Sequence, residues 1–282
     1  MKRNDKTGRI IKDIRVEKLM KKKTTMTVTD IRCLAEGIYS MKLQYPERDL
    51  PVEVKPGQFA GLYPNDPSML LPRPISICKW DPERGELRFV FRAAGAGTES
   101  LAAQKAGDRV DMLGVLGNGY DLSKLSGRKV LLLGGGIGIP PMVELAAALS
   151  ELPGTEVTAV MGYRNSDLFL TEELQQYGRL LIATEDGSVE TKGNVLDAVR
   201  ENEVRADAVC ACGPMPMLRA VKKYAKEQGI PAYISLEERM ACGVGACLGC
   251  VTKTAEVDSH SHVRNARICT EGPVFEAEEV EI

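Results

Sequence analysis

The stretch Val130-Leu131-Leu132-Leu133-Gly134-Gly135-Gly136-Ile137-Gly138-Ile139-Pro140-Pro141 marks where one kind of chain gives way to another. Its four leading apolar residues read as a strand buried on both faces, as in a parallel sheet. Glycines follow, and then the apolar run Met142–Leu149 reads as a helix. A helix N-terminus leaves backbone N–H groups without partners. Strand, glycine loop and helix therefore make a cradle for a phosphate or a dinucleotide. Gly134, Gly135, Gly136, Gly138 and Pro141 are its candidate residues. The pattern is not the standard G-x-G-x-x-G, because the last glycine counted from Gly134 would fall at Ile139. Proline suits the first helical turn, where its missing N–H is not required.

Downstream, strands and helices alternate through Glu156–Met161, Leu168–Tyr177, Leu180–Thr184, Gly193–Arg200 and Ala208–Ala211, the pattern of a doubly wound α/β domain. Its last clear strand runs into Cys210-Ala211-Cys212-Gly213-Pro214-Met215-Pro216-Met217-Leu218. Ligands bind at the C-terminal ends of strands in such sheets. Cys212, Gly213 and Pro214 are thus candidates, with Cys212 either facing a nicotinamide or serving as a buried structural cysteine. Leu218–Gln228 reads as an amphipathic helix stopped by Gly229. After Met161 comes Gly162-Tyr163-Arg164-Asn165-Ser166-Asp167, whose arginine would suit a 2′-phosphate.

Upstream, from Thr25 to Leu122, the pattern is β. Met26–Val28, Gly37–Leu43, Gln58–Tyr63, Ile75–Lys79, Leu87–Arg92 and Arg109–Met112 are short runs punctuated by Gly, Pro and Asp, and read as a small antiparallel barrel. In Leu71-Pro72-Arg73-Pro74-Ile75-Ser76-Ile77 two prolines fix an extended path around a permanent cation. Arg73 and Ser76 together suit a pyrophosphate and a flat ring, although Pro-flanked arginines are also common in loops. Val90–Leu101 ends a strand in a glycine turn before a short helix, which is either an anion site or an ordinary connection. Leu113-Gly114-Val115-Leu116-Gly117-Asn118-Gly119-Tyr120 closes the barrel with three glycines.

Past Pro231 the segment Ala232–Leu236 leads into Glu237-Glu238-Arg239-Met240-Ala241-Cys242-Gly243-Val244-Gly245-Ala246-Cys247-Leu248-Gly249-Cys250. C-x4-C-x2-C with a distant fourth cysteine, Cys269, is the plant-type spacing for a [2Fe–2S] cluster. Four thiolates must converge on a small anionic core. Gly243, Gly245 and Gly249 let the loop fold back and bring N–H groups to the sulfurs. A structural zinc is the alternative, although zinc ligands usually come as two short C-x2-C pairs. His260 and His262, between the third and fourth cysteines, read as loop residues, with Rieske-type ligation as the other reading. The tail Glu271–Ile282 holds five Glu and no basic residue, and reads as a solvated end.

The totals agree with a multidomain protein. At 282 residues, 44% hydrophobic and 27% charged, the chain is ordinary globular material for about two domains and a small module. A net charge of −2 and 5% aromatic residues give no footing for nucleic acid. The eight cysteines form no disulfide framework, and a thiolate-bound cluster suits a reducing cytosol. No apolar run reaches the ~20 residues of a membrane span, and no secretory h-region opens the chain. Cytoplasmic location is the expectation. Residues 1–25 hold ten Lys/Arg against three Asp/Glu. With Ile10, Ile11, Ile14 and Leu19 near helical spacing, they read as a solvated extension or a short basic amphipathic helix.

The order of these motifs resembles the ferredoxin-reductase superfamily. Within it, the chain is similar to the electron-transfer subunits of NAD-dependent (class 1B) dihydroorotate dehydrogenases. Arg73–Ser76, Gly97-Thr98, Leu116–Gly119, Gly134–Pro141, Thr184-Glu185-Asp186-Gly187, Cys212–Leu218, Ile234–Cys250 and Gly272-Pro273-Val274-Phe275 carry the likeness, most specifically Ser235–Cys242. The resemblance implies an antiparallel FAD-binding barrel (26–122), an α/β NAD-binding domain (123–230) and a [2Fe–2S] module (231–282), after the extension 1–25. It places FAD on Arg73, Pro74, Ile75, Ser76, Val90, Phe91, Arg92, Gly97 and Thr98. It places the cluster on Cys242, Cys247, Cys250 and Cys269, and NAD near Gly134–Pro141 and Cys212–Pro214. The chain departs from the family in its basic extension and in Glu271, where an Asp is expected before Gly-Pro.

The activity so implied is a relay. Electrons from the FMN of a separate dihydroorotate-oxidising subunit would pass by cluster and FAD to NAD+, in pyrimidine biosynthesis, within a heterotetramer of two copies of each chain. The same layout occurs in subunits of ferredoxin:NADP oxidoreductase and of anaerobic sulfite reductase. A reading from another class is a zinc-stabilised binding module on a vestigial flavin fold.

Overall fold

The computed structural model describes residues 22–46, 50–51, 53–257 and 262–282, so the helix considered around Ile10–Leu19 lies outside the described residues. Strands β1 (Lys23–Ala35), β2 (Ile38–Gln44), β3 (Phe59–Leu62), β4 (Arg73–Asp81), β5 (Glu86–Arg92) and β6 (Arg109–Leu116) close a barrel in the order β1-β2-β5-β4-β3-β6. Every pairing in it is antiparallel. Alternate residues such as Met26, Val28, Met41, Leu43, Phe89 and Met112 fill its interior. Helix α1 (Ala96–Ala102) links β5 to β6.

Strand β1 is much longer than its one clear apolar run. It starts at Lys23, inside the stretch read as an extension, and pairs with β6 through Thr27 and with β2 from Thr27 onward. Register shifts between Val28 and Asp30 and between Cys33 and Ala35 let one strand turn between two neighbours. Such bulges break the alternation that reveals a strand in sequence.

The second domain comprises β7 (Lys129–Gly135), α2 (Pro140–Ser150), β8 (Glu156–Tyr163), α3 (Thr171–Gln175), β9 (Arg179–Thr184), β10 (Thr191–Lys192), α4 (Val195–Glu201), β11 (Ala208–Cys212), α5 (Met215–Gln228) and β12 (Ala232–Ser235). A hairpin of β13 (Val251–Lys253) and β14 (Asn265–Arg267) follows, then β15 (Val274–Glu276). The sheet order is β10-β9-β8-β7-β11-β12-β15, parallel except for β15. The continuous apolar run in β7 now has its reason. Leu131 and Leu133 pack on one face with α4 and α5, while Val130 and Leu132 pack on the other with α2. Gly229 ends α5 in the left-handed region at φ 67, as a C-terminal glycine should.

Helix α2 is buried on most of its surface because it is wedged between the sheet and β4 of the barrel. Its one charged residue, Glu144, meets Lys79 at 3.4 Å and accepts the Trp80 backbone N–H at 3.3 Å. A second cross-domain pair joins Arg88 of β5 to Glu173 of α3 at 2.6 Å, with Arg88 only 12% exposed.

The tail is not a solvated end. Strand β15 pairs with β12, and Phe275, Ala277 and Val280 enter the core that lies under α5. The glutamates, which dominate the composition, take the outward positions, and Glu276 meets Lys124 at 2.6 Å. The interleaved apolar residues supply the adhesion. Replacing Phe275 with Ala should therefore cost about 3–5 kcal/mol in urea denaturation. A solvated tail would leave the midpoint within about 0.5 kcal/mol of the parent.

Candidate functional site

A cleft of about 520 Å³ opens between the barrel and the segment after β12. Pro74, Ile75 and Ser76 of β4, Val90, Phe91 and Arg92 of β5, and Phe59 of β3 form one side. Ile137 and Leu236–Met240 form the other. Six of the residues tied by resemblance to a flavin thus share one surface. Arg73 stands just before them, donates to the Leu71 carbonyl at 2.7 Å, and crosses the start of α1. A Cβ on Gly97 would lie 2.2 Å from Arg73 Nε, so only glycine leaves the guanidinium that path. Thr98 pins the same turn, accepting from the Ala94 N–H and donating to the Gly95 carbonyl, each at 3.0 Å.

A larger cleft of about 1180 Å³ lies along the C-terminal ends of β7, β8, β9 and β11. Gly135, Gly136, Gly138, Gly213 and Pro214 line it, along with Arg164, Glu185, Asn194 and Arg200. Gly134, Pro141 and Cys212 are not on its wall. Gly134 is a packing glycine whose Cβ would sit 2.5 Å from Met161 Sδ. Pro141 is buried in α2. Gly138 allows the closest approach, since its Cβ would fall 2.4 Å from the Cys212 carbonyl oxygen and 2.6 Å from the Gly213 nitrogen. The glycine loop is thereby seated on the tip of β11.

The two clefts share Arg92, Ile137 and Glu237. Glu237 lies in the phrase Ser235–Cys242 that carries the likeness most specifically, but nothing in its sequence context assigned it a role in a site. Its position at the C-terminal end of β12, the ligand-binding edge of the sheet, is the signal that could have found it. Its carboxylate opens onto the clefts yet is crowded by protein. That desolvation raises its pKa, against the lowering effect of a hydrogen bond from Cys212 Sγ at 3.9 Å. Cys212 itself is fully buried, and burial pushes its thiol well above the usual range. It reaches the cleft only through Glu237.

Immediately beyond Met240 the chain enters the thiol loop. Cys242 Sγ accepts the N–H groups of Val244, Ala246 and Cys247 at 3.4, 3.3 and 3.4 Å, and Cys247 Sγ accepts that of Gly249 at 3.4 Å. Gly243 and Gly245 adopt φ 65 and 87, which aim those groups inward. Burial disfavours the Cys242 thiolate, but the N–H groups outweigh it and bring the pKa down to about 6. The four thiols fall into two pairs. Cys242 lies beside exposed Cys247, whereas Cys250 and Cys269 are buried together, where burial and the neighbouring thiol push the Cys269 pKa up to about 11. Among the described residues no three His, Cys, Asp or Glu side chains converge on a single-ion point. A two-iron core takes two ligands on each iron, and the paired arrangement fits it. Exposed His262 lies at φ 55 in the following loop, while His260 is outside the described residues.

Asn118 fastens this module to the barrel. Its Nδ2 donates to the carbonyls of Thr270 and Glu271, each at 3.1 Å, and its N–H to that of Gly272 at 2.6 Å. The glycine before it is required there, because a Cβ on Gly117 would lie 2.6 Å from Pro273 Cδ.

Comparison with known proteins decides the family. A profile described as the iron-sulfur cluster binding domain of dihydroorotate dehydrogenase B matches residues 237–281, and one for an oxidoreductase NAD-binding domain matches 132–223. A dihydroorotate dehydrogenase B (NAD(+)) electron transfer subunit from Bacillus velezensis is 41% identical over 263 residues, 92% of this chain and 99% of that one. Its counterpart from Streptococcus mutans is 41% identical over 92% of this chain and 98% of its own. The chain belongs to these electron transfer subunits.

A solved NADH-dependent reduced ferredoxin-NADP oxidoreductase, studied for flavin-based electron bifurcation, superposes with a TM-score of 0.80 at 29% identity, covering 91% of this chain and 89% of its own. A ferredoxin reductase of carbazole 1,9a-dioxygenase shares the fold at a TM-score of 0.64 and 21% identity, over 76% of this chain and 68% of its own. The relatives are named as electron transfer subunits of an NAD(+)-dependent dehydrogenase, a name that implies a catalytic partner subunit. No helix among the described residues is long and apolar enough to cross a membrane. Replacing Gly138 with Ala should cost about 1–3 kcal/mol of stability through backbone overpacking. It should also weaken NADH binding measured by calorimetry, with bound FAD retained.

Proposed function

We propose that this chain carries electrons from a dihydroorotate-oxidising, FMN-containing subunit to NAD+, in an assembly of two copies of each chain serving pyrimidine biosynthesis. One observation carries the reading. The segment Leu236–Met240 lines the smaller cleft, touches the larger one through Glu237, and continues directly into the thiol loop. Three redox stations are thus built on one short piece of chain. The residues fit the groups concerned: a narrow, largely apolar cleft beside Arg73 for FAD, two thiol pairs for a [2Fe–2S] cluster, and a glycine-lined cleft at strand ends for NAD. The cofactors, when bound, supply the exchange between single electrons and a hydride that no side chain here performs.

The chain's own residues bind and orient. Arg73 presents a fixed cation for a pyrophosphate, held clear by Gly97. Pro74–Ser76 and Val90–Arg92 make a rigid wall because the first are paired to β3 and the second to β2. Cys242, Cys247, Cys250 and Cys269 supply the four thiolates. Gly135, Gly136, Gly138 and Gly213 let a dinucleotide approach the backbone, and Glu237, held by Cys212, stands where the clefts meet.

Glu185 supports NAD rather than NADP. It lies at the tip of β9 on the wall of the large cleft beside Arg164, with its backbone N–H on the Tyr163 carbonyl at 3.1 Å. A carboxylate there accepts ribose hydroxyls and repels a 2′-phosphate. Arg164, the residue that pointed to a phosphate from sequence, shares that wall with it. A ferredoxin:NADP role is the second reading, favoured by the 0.80 superposition; the 41% relatives favour the first.

Copurification with a candidate catalytic subunit should yield dihydroorotate-dependent NADH formation. Cys247→Ser should abolish the visible iron–sulfur absorbance and drop the coupled rate to background with FAD retained. Coupled turnover that survives cluster loss would sink the relay. Glu185→Ser should raise the NADPH-to-NADH ratio of kcat/KM about tenfold, the effect of ~1.4 kcal/mol of relieved repulsion. An unchanged ratio would remove Glu185 from the choice.

A further inference from the structure

Beside the thiol loop stands an ion pair that neither ligation nor packing requires. Arg267 ends β14, two residues before Cys269, and Glu271 follows two residues after it. Glu271 accepts the Arg267 backbone N–H in a short hydrogen bond, Nε at 3.1 and 3.2 Å, and Nη2 at 2.7 Å. Backbone bonds from Thr270 and Glu271 to the Arg267 carbonyl, at 3.1 and 2.8 Å, close the same turn around Cys269. The remaining guanidinium nitrogen, Nη1, crosses to the Gly245 carbonyl at 3.3 Å. Gly245 lies between Cys242 and Cys247, in the other half of the thiol site. It packs so tightly on this turn that a Cβ would lie 2.9 Å from Thr270 Cγ2.

An exposed ion pair of this kind adds only about 0–1 kcal/mol to stability. Its side chains are 41% and 43% exposed, so fold stability does not account for it. Its placement does. The side chain of Arg267 links the segment that carries Cys269 to the loop that carries Cys242 and Cys247. It also sets a permanent cation within electrostatic reach of Cys269 and Cys250, with one carboxylate partly offsetting it.

We propose that Arg267 and Glu271 form a clasp that holds the two halves of the thiol site in register and tunes the iron–sulfur cluster held there. The cation favours the reduced, more negative form, and the carboxylate opposes it. Net charge and hydrogen bonding around the sulfurs are the levers that set the potentials of such clusters. Arg267 is a positioning residue, and the clasp rests on the cluster reading given above.

The test is an EPR-monitored redox titration of the anaerobically purified, FAD-loaded chain. Arg267→Met should shift the cluster's midpoint to lower potential and Glu271→Gln to higher potential, while Arg267→Lys, which keeps the charge, should stay near the parent. Opposite shifts separate electrostatics from loosening, since both the Met and Gln variants weaken the same turn. Shifts of the same sign, or none, overturn the proposal. If Arg267→Met fails to retain its cluster, Glu271→Gln decides alone: a rise supports the clasp, and a fall or no change overturns it. A parent chain free of iron and sulfide would overturn the cluster reading and the clasp with it. A loaded parent with unresponsive variants would overturn the clasp only.

Discussion

The antiparallel pairing of β15 with β12 is the constraint on which the redox layout depends. Strand β12 leads into the thiol module, and β15 leads out of it, so one ladder holds the module by both ends. The Leu236 N–H on the Pro273 carbonyl at 2.9 Å extends that ladder to the mouth of the smaller cleft. Both ends of the module are thus fixed to the edge of the α/β sheet. Asn118 then ties the same segment to the last loop of the barrel. Three chain segments distant in sequence are brought to one place by backbone hydrogen bonds, which leave little freedom for the distances between cofactors to drift.

The barrel and the α/β domain are held together by a different device. Helix α2 has no free apolar stripe to spare, because its two sides are taken by the sheet and by β4. Two cross-domain ion pairs, Lys79 with Glu144 and Arg88 with Glu173, bracket it. Burial raises the pKa of Glu144, while Lys79 and the Trp80 N–H pull it down. Such partly buried pairs add less to stability than to register, since each loses hydration in forming. The smaller and the larger cleft meet along this junction, at Arg92, Ile137 and Glu237. Fixing the junction is therefore also what brings those two clefts into contact.

Much of this was legible in the chain. The buried run Val130–Leu133, the six apolar runs of the barrel and the spacing of Cys242, Cys247 and Cys250 each follow from a local rule, and local rules survive folding. What was not legible depends on contacts far apart in sequence. Glu237 sits in the specific phrase Ser235–Cys242, but no window of residues shows that β12 ends where two clefts join. Cys212 left two readings open, a residue facing the cleft and a buried structural cysteine, and the end of β11 buries it behind Glu237. Arg267 and Glu271 are an ordinary pair of charges until the fold sets Gly245 beside them. The acidic tail misled by composition, since the apolar residues between its glutamates pair with a strand forty residues earlier.

Everything in this layout turns on whether the paired thiols hold a two-iron cluster in the same chain as a flavin. The most direct measurement is the iron, acid-labile sulfide, zinc and flavin content of the anaerobically purified chain, with an EPR spectrum after reduction. A two-iron cluster beside a flavin gives about two iron and two sulfide per flavin, and the rhombic signal of a reduced [2Fe–2S] centre. Zinc in place of iron, or iron without labile sulfide, would contradict it.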